Sequence, residues 1–207
     1  MIFVPRLYAI LDSSAHVSTQ DLVAYADELA AGGCTLLQYR NKSGNARVML
    51  EQARELRRLS RAGAPAPHLI MNDRADLCLA AGFDGVHVGQ EDLSPEPVRR
   101  IIGPERWLGV STHNPEQLRE ADLTSADYLA IGPVFATSSK DKPDPVVGLE
   151  GVRRARALTR KPLVAIGGIT RTNAASVMEA GADSVAVISD LLREPRKSAE
   201  EFLRILR

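Results

Sequence analysis

Two cations stand one residue apart in the segment Gln-Tyr-Arg-Asn-Lys at residues 38–42. Alternate residues of an extended chain project to the same face, so Arg40 and Lys42 can converge on one anion. An arginine fork suits the oxygens of a phosphate, and a lysine adds a mobile point charge. A solvated basic pair explains this segment equally well. Both interpretations, a phosphate site and a solvated pair, stay open at this point.

Two carboxylates, Asp73 and Asp92, each follow an apolar run of strand length. If the two strands are neighbours in a barrel, their ends lie only about 5 Å apart. Magnesium commonly takes one or two carboxylates and completes its shell with water and phosphate oxygens. The alternative for Asp73 is the N-cap of the helix that follows it. We favour a shared metal site because Asp92 lies next door; no His/Cys cluster has zinc spacing.

Glycines and small polar residues close the last two apolar runs, at Gly167-Gly168 and at Ile188-Ser189. Glycines let a ligand approach the main chain, and barrels often bind a phosphate after their seventh and eighth strands. The alternative is a pair of tight turns without a ligand. The pattern favours a phosphate site here.

Two histidines are candidates for accessory roles. His87 stands at a strand end, where it would line a pocket or orient Asp92. His113 follows Ser111 by two residues, so both side chains are expected near the same opening. A Ser/His hydrolase would also need a nucleophile elbow and a third member, and neither is evident.

These residues follow eight short apolar runs rich in Val, Ile and Leu, as is typical of strands buried on both faces of a parallel sheet. The predicted strands are residues 7–11, 35–39, 68–71, 85–88, 107–110, 128–131, 163–166 and 184–188. Helix-period segments alternate with them, at residues 21–31, 46–61, 75–81, 95–102, 115–122, 149–158, 173–180 and 195–206. The pattern predicts an α/β fold, a (β/α)8 TIM barrel forming one domain over residues 1–207, with its site at the carboxyl ends of the strands. The rival, a doubly wound sheet, lacks a Gly-x-Gly-x-x-Gly motif after its first strand.

One connection, residues 133–148, is much longer than the others. Its two prolines, Pro143 and Pro145, exclude a helix through it. Loops of this length are usually functional lids or disordered segments. Its polar residues favour a lid ordered by substrate: Thr137, Ser138, Ser139 and Lys140.

The composition is that of an ordinary globular protein. Of its 207 residues 44% are hydrophobic and 25% charged, with zero formal net charge. No global field therefore favours nucleic acid or an anionic membrane, and no apolar run approaches the ~20 residues of a membrane span. Cys34 and Cys78 both lie in apolar segments, which predicts buried thiols rather than a disulfide. We expect a cytoplasmic protein without a signal peptide.

Over essentially its whole length the chain resembles the thiamine phosphate synthase family. The matching segments, in order, are residues 38–42 (QYRNK), 72–74 (NDR), 85–92 (GVHVGQED), 109–113 (GVSTH), 132–140 (GPVFATSSK) and 166–169 (IGGI). Each segment is modest alone, but their combination is specific. Two positions depart from the family pattern: Asn41 stands where an acidic residue is frequent, and Ser139 where threonine is common.

The resemblance implies a transferase of thiamine biosynthesis. It would join hydroxymethylpyrimidine diphosphate to a thiazole phosphate, or its carboxylated form, and release pyrophosphate by a dissociative, magnesium-assisted substitution. Arg40, Lys42, Ser111 and Lys140 would be catalytic. The pyrimidine diphosphate would contact Gln38, Tyr39, Arg40, Asn41, Lys42, Asn72, Ser111 and Lys140. The thiazole phosphate would contact Thr137, Ser138, Ser139, Gly168, Ile188 and Ser189. Asp73 and Asp92 would hold a Mg²⁺ ion in each subunit, with His87 and His113 as accessory residues.

Two alternatives accompany this interpretation. A sister family, the thiazole tautomerases, resembles this chain in fold and glycine loops and has a histidine at the position of His113, but tends to lose the cationic set. The other alternative is a non-catalytic protein that binds thiamine precursors. The partners expected are small-molecule substrates, not nucleic acid or membrane, and pairing through helix faces makes a homodimer one expectation for assembly.

Overall fold

The computed structural model describes residues 2–59, 66–137 and 144–207. Within them the strands are β1 Leu7–Asp12, β2 Leu36–Arg40, β3 His68–Asn72, β4 Gly85–Val88, β5 Trp107–Thr112, β6 Tyr128–Ile131, β7 Leu163–Ile166 and β8 Ser184–Val187. The helices are α1 Thr19–Ala31, α2 Ala46–Leu59, α3 Ala75–Ala81, α4 Pro95–Ile102, α5 Pro115–Asp122, α6 Gly148–Leu158, α7 Ala174–Glu179 and α8 Pro195–Ile205. Short 3-10 helices span Ser13–Ala15 and Ser189–Leu191. No helix in these residues is long and apolar enough to cross a membrane.

The strands close into a barrel in chain order, with β8 paired to β1. Every pairing is parallel, so all carboxyl ends open on one face. The predicted (β/α)8 barrel is therefore confirmed. The strands β1, β2, β3 and β5 extend one or two residues further at this face than predicted, to Asp12, Arg40, Asn72 and Thr112, whereas β8 ends one residue earlier, at Val187.

The alternation of side chains along each strand produces two cores. Residues facing inward form a small cluster that fills the barrel: Val4, Tyr8, Ile10, Leu36, Ile70, Tyr128, Ala130, Val164 and Ala186. Residues facing outward pack against the helices in a larger cluster. Because adjacent residues face opposite cores, the side of a strand residue decides whether it can reach a ligand.

Both cysteines lie in the outer core as free thiols, as predicted. Burial raises the pKa of Cys34 to about 11 and that of Cys78 to about 12. The thiolate forms are therefore disfavoured at neutral pH, and both residues serve packing.

An aspartate precedes each of the strands β4, β6 and β8, and each accepts from a backbone N–H of the neighbouring strand and from an arginine. Asp84 accepts from the backbone N–H of Leu69 at 2.8 Å and from both terminal nitrogens of Arg57, at 2.9 and 3.1 Å. The pair Asp127 and Arg99 repeats this arrangement across β5 and β6. Asp183 and Arg156 repeat it across β7 and β8. These contacts fasten helices to the amino ends of strands, the face of a barrel that serves stability.

We expect Asp84→Ala to lower the free energy of unfolding by about 1–3 kcal/mol, because a backbone N–H and a guanidinium lose a shared acceptor. Urea unfolding measures the loss. The control is Asp27→Ala, which removes an exposed carboxylate from α1 and should cost less than about 0.5 kcal/mol. Equal midpoints for the two variants would show that the aspartate contributes nothing to stability.

Candidate active site

A pocket of about 480 Å³ opens at the carboxyl ends of the strands. Its polar lining comes from most of the barrel, namely Tyr8, Gln38, Arg40, Lys42, Asn72, Asp73, His87, Gln90, Glu91, Asp92, Ser111, His113, Gln117, Thr137, Asp144 and Ser189. Apolar side chains and the glycines after β6 and β7 complete it. The structure therefore brings together the candidate residues whose chemistry was singled out in separate segments.

Alternation along β2 divides the segment at residues 38–42. Gln38, Arg40 and Lys42 line the pocket. Tyr39 and Asn41 do not: the Tyr39 hydroxyl donates to Gln52 on α2 at 2.5 Å, and Asn41 Nδ2 donates to the same oxygen at 3.0 Å. This placement differs from the predicted contacts of Tyr39 and Asn41 with substrate. The physical reason is that their side chains leave the opposite face of the strand, where both are buried under α2.

Each cation of the segment has a carboxylate partner. Arg40 donates to Asp12 at the end of β1, and Lys42 Nζ lies 2.6 Å from Asp73 Oδ2. Burial acts to raise the pKa of Asp12, but hydrogen bonds from Ser14 and the charge of Arg40 outweigh it and lower the pKa. Asp12 therefore stays ionised and holds the guanidinium at the pocket wall. Arg40 is thus held by a carboxylate at the pocket wall, whereas Lys42 has a carboxylate partner but keeps a side chain that is 54% exposed.

Asp73 and Asp92 face each other from the ends of β3 and β4. Burial raises the pKa of Asp73; Lys42 lowers it, and the neighbouring Asp92 carboxylate raises it again. Asp73 adopts a φ of 61°, a left-handed conformation that is rare outside glycine and often found at functional sites. The N-cap position of α3 belongs to Arg74, without a side-chain capping bond. The capping alternative for Asp73 is therefore wrong.

Asn72 precedes this pair and points into the barrel. Its side chain is buried, and its Nδ2 has no hydrogen-bond partner in the part of the chain that the structure describes. A buried amide without a partner costs about 1–3 kcal/mol, which a ligand acceptor would relieve. Asn72 is thus available to a bound molecule.

His87 lies on the floor of the pocket. Its Nε2 is 2.8 Å from Ser111 Oγ, and its Nδ1 is 3.1 Å from the hydroxyl of Tyr128. Burial lowers the pKa of His87 to about 4, against the charge of Asp92, so the ring is neutral at physiological pH. Asp92 Oδ2 accepts from the backbone N–H of Gly89 at 2.7 Å. His87 therefore lines the pocket and contacts Ser111, while the loop backbone holds Asp92.

The other side of the pocket is formed by main chain after β6, β7 and β8. Gly168 has a φ of 63°, and a Cβ built there would lie 2.5 Å from the carbonyl oxygen of Ala136. Ile188 and Ser189 line the pocket at the start of a 3-10 helix, and Thr137 lines it from the loop after β6. Ser138, Ser139 and Lys140 lie outside the described residues.

His113 lies in the wall between these two sides. Its Nδ1 is 2.6 Å from the carbonyl oxygen of Gly132, and its Nε2 is 3.5 Å from Asp144 Oδ2. The imidazole therefore connects the end of β5 to both ends of the long loop.

A group of ion pairs around Arg171, behind the pocket, was not predicted from the sequence. The Asp190 carboxylate accepts from the backbone N–H of Arg171 at 2.8 Å and from its guanidinium at 3.1 and 3.2 Å. The guanidinium also contacts Glu201 on α8. These contacts fix the loop after β7 against the 3-10 helix that begins at Ser189. An acidic residue directly after Ile188-Ser189 was the only available indication.

Comparison with known proteins places these features in one family. The family profile described as thiamine monophosphate synthase matches residues 7–191. The thiamine-phosphate synthase of Koribacter versatilis is 62% identical over 206 residues, which cover 98% of this chain and 96% of that protein. The thiamine-phosphate synthase of Chloroflexus aurantiacus is 46% identical over 185 residues, covering 89% and 83%.

Solved structures agree with the sequence comparison. The thiamine phosphate pyrophosphorylase from Pyrococcus furiosus superimposes with a TM-score of 0.85 at 35% identity, covering 97% of this chain and 95% of that one. Since the family profile spans the barrel from β1 to the end of the site, and close relatives match nearly the full length, the chain belongs to the thiamine monophosphate synthase family.

Proposed function

We propose that this chain is a transferase that joins hydroxymethylpyrimidine diphosphate to a thiazole phosphate, forming thiamine phosphate and releasing pyrophosphate. The observation that carries the proposal is the convergence of Arg40 and Lys42 with the paired carboxylates Asp73 and Asp92 in one pocket. Such a set suits a diphosphate. The family relationship supplies the identity of the substrates.

The diphosphate is proposed to lie between Arg40, Lys42 and the amide of Asn72, whose Nδ2 has no partner among the described residues. Lys140 would complete the cationic set from the long loop. The carbon–oxygen bond to pyrophosphate breaks as the leaving group gathers negative charge, and cations already held in place stabilise that charge where it develops. The electron-rich aminopyrimidine supports the resulting cation, which the thiazole nitrogen captures. This route needs no protein nucleophile.

Magnesium fits the carboxylate pair. The Asp92 carboxylate lies close enough to Asp73 to oppose its ionisation, and a divalent cation held by the two residues would offset that repulsion. Oxygen donors are the ligands that Mg²⁺ prefers. When bound, the ion would supply positive charge to the leaving diphosphate. Lys42 contacts Asp73 and lines the same pocket, so its charge would act on the diphosphate together with that of the ion.

The thiazole phosphate is proposed to bind the main chain around Gly168, Ile188 and Ser189, with Thr137 contributing from the loop. The family resemblance adds Ser138 and Ser139, which lie outside the described residues. Gly168 presents backbone without a side chain, and Ser189 opens the short 3-10 helix. Backbone N–H groups of this kind form anion-binding concavities. Both phosphorylated groups would then face each other across the barrel mouth.

The primary test is pyrophosphate release by the purified protein, mixed with both substrates, with and without Mg²⁺. Release that requires both substrates and the metal, with thiamine phosphate as product, is expected. Solvent deuterium entering the thiazole phosphate without pyrophosphate release would instead indicate a tautomerase, and His113 would be tested next. If neither reaction occurs but calorimetry shows that both ligands bind, the chain would be a non-catalytic binding protein.

The contact between Asp190 and Arg171 gives a prediction for the thiazole phosphate site. Asp190→Ala should raise the KM for the thiazole phosphate about tenfold, because the 3-10 helix at Ser189 loses its attachment to Arg171. The KM for the pyrimidine diphosphate should change by less than about twofold, as for a distant site. Glu201→Gln is the matched control, since it removes the other carboxylate on Arg171 from the α8 side. Equal increases in both KM values would reduce the role of Asp190 to general stability.

Two wider proposals accompany this function. We place the reaction in the cytoplasm, because both substrates carry phosphate charges that cannot cross an apolar barrier unaided. A homodimer that pairs through helix faces remains a prediction, which light scattering of the purified protein checks directly.

A further inference from the structure

Five side chains form an unbroken hydrogen-bonded chain across the floor of the barrel. Gln38 Nε2 lies 2.8 Å from the Tyr8 hydroxyl, which lies 3.0 Å from the Tyr128 hydroxyl. The Tyr128 hydroxyl lies 3.1 Å from His87 Nδ1, and His87 Nε2 lies 2.8 Å from Ser111 Oγ. The two ends, Gln38 on β2 and Ser111 on β5, both line the pocket. The chain therefore connects these two residues through three buried side chains.

The middle of this chain is buried. Tyr8 and Tyr128 are 1% and 0% exposed, and the two rings meet edge to face at 6.1 Å between centroids. Burial raises the pKa of both phenols, so both hydroxyls keep their protons at neutral pH. Each bond of the chain must then be supplied by a defined donor and a defined acceptor.

Counting protons gives the chain a direction. Gln38 Nε2 donates to the Tyr8 oxygen, so the one proton of Tyr8 goes to Tyr128; among the described residues the structure gives that hydroxyl no other acceptor. The proton of Tyr128 then goes to Nδ1 of His87. A neutral imidazole has a single N–H. It therefore lies on Nε2 and donates to Ser111 Oγ, which leaves the Ser111 proton for the pocket.

We propose that this chain sets the polarity of the pyrimidine site: Ser111 acts as a donor toward the ligand, and Gln38 offers its Oε1 as an acceptor. An aminopyrimidine presents an N–H donor beside a ring-nitrogen acceptor, which complements such a pair. A 4-oxo pyrimidine presents a carbonyl acceptor beside a ring N–H, the reverse pattern. Tyr8, Tyr128 and His87 are thus positioning residues that select an amino over an oxo ring. The identity of the ligand rests on the proposed function; the direction of the chain does not.

The direction is tested by ¹⁵N NMR of the histidines in the whole protein, without substrates. His87→Gln identifies the resonances of His87 among the four histidines. The expected result is a proton on Nε2 and none on Nδ1. In Tyr128→Phe, which removes the donor to Nδ1, the two tautomers should become mixed. A proton on Nδ1 in the unsubstituted protein would reverse every donor in the chain and overturn the inference.

Ligand preference is tested by calorimetry with Mg²⁺ and either the aminopyrimidine diphosphate or its 4-oxo counterpart, in the absence of thiazole phosphate. The unsubstituted protein should prefer the amino ligand, and Tyr128→Phe should reduce that preference about tenfold, as expected for one misdirected buried hydrogen bond. Tyr8→Phe is the second variant, in which Gln38 loses its acceptor and Tyr128 loses its donor, while the contacts of His87 with Tyr128 and Ser111 are kept. Tyr25→Phe removes a buried hydroxyl on α1 outside the chain and should keep the full preference.

The two tests separate the inference from the proposed function. Absence of thiamine phosphate synthesis together with the Nε2–H tautomer would reject the function and keep the direction of the chain. Normal synthesis together with the Nδ1–H tautomer, or with an unchanged preference in both Tyr128→Phe and Tyr8→Phe, would reject the inference alone. Thermal unfolding of each variant establishes that it is folded before its ligand preference is compared.

Discussion

Asp92→Asn is expected to reduce thiamine phosphate formation by about 100-fold to 1,000-fold while the barrel stays folded, the cost of removing one electrostatic stabiliser of a developing charge. The substitution keeps an oxygen for the backbone N–H of Gly89 and removes only the negative charge. The half-buried side chain lies at the pocket rather than in either core. The loss should therefore appear as a weaker response to Mg²⁺, measured as pyrophosphate release over a titration of the metal.

The pKa of Asp73 gives a second measure of the effect of Asp92→Asn, one that does not depend on catalysis. The Asp92 carboxylate contributes to the raised pKa of Asp73, so the pKa of Asp73 should fall in Asp92→Asn, while burial still acts to raise it. Carboxyl ¹³C NMR of the metal-free protein over a pH titration measures this. Asp76→Asn is the matched control, because Asp76 pairs with Arg74 at the start of α3. Unchanged magnesium dependence in Asp92→Asn, with the Asp73 pKa unmoved, would contradict the metal site.

The fold followed from the sequence because strand and helix periods alternate without interruption. Each apolar run closes on polar residues, and parallel strands in one barrel place such ends on one face. The sequence alone therefore predicts that Asp73 and Asp92 lie close together, since their strands are consecutive. The barrel places them side by side, and the left-handed backbone of Asp73 adds what a sequence cannot state.

Tyr39 and Asn41 show where reasoning from a contiguous segment fails. The resemblance covered all five residues at 38–42, but a strand shows only alternate side chains to the pocket. The same rule that joined Arg40 to Lys42 sends Tyr39 and Asn41 to the face covered by α2. The two-residue alternation of a strand could therefore have been applied to the whole segment, and it directs the side chains of Tyr39 and Asn41 away from the pocket.

The hydrogen-bonded series from Gln38 to Ser111 could not be predicted, for a different reason. Tyr8 and Tyr128 are 120 residues apart, and their contact depends on how β1 and β6 project across the barrel interior. No local period encodes such a contact. The aspartates before β4, β6 and β8 could not be interpreted from sequence either, because each contacts an arginine one helix further back in the chain, on α2, α4 or α6, and only the fold brings the two together.

Gly109→Ala is expected to lower both the stability of the protein and the rate of thiamine phosphate synthesis, because Gly109 lies against Tyr128 and His87. The strand register places Gly109 between His87 on β4 and Tyr128 on β6. A Cβ there would lie 2.1 Å from Tyr128 Cζ and 2.4 Å from His87 Nδ1. Both rings are buried, so one must leave its position. Overpacking of this kind costs about 1–3 kcal/mol, and synthesis should fall with the loss of the Tyr128–His87 bond.

A second substitution separates packing from polarity. In Gly109→Ala with Tyr128→Leu the smaller side chain makes room for the new methyl group, so urea unfolding should recover part of the lost stability, while synthesis should stay low because His87 Nδ1 still lacks its donor. Gly44→Ala is the control, since Gly44 has a φ of 76° with open space around its Cβ position, so the substitution should cost about 1–2 kcal/mol of backbone strain without displacing a neighbour or lowering synthesis. Recovery of synthesis together with stability would mean that Gly109 matters for packing alone; recovery of stability alone would show that the glycine exists to let these two rings meet.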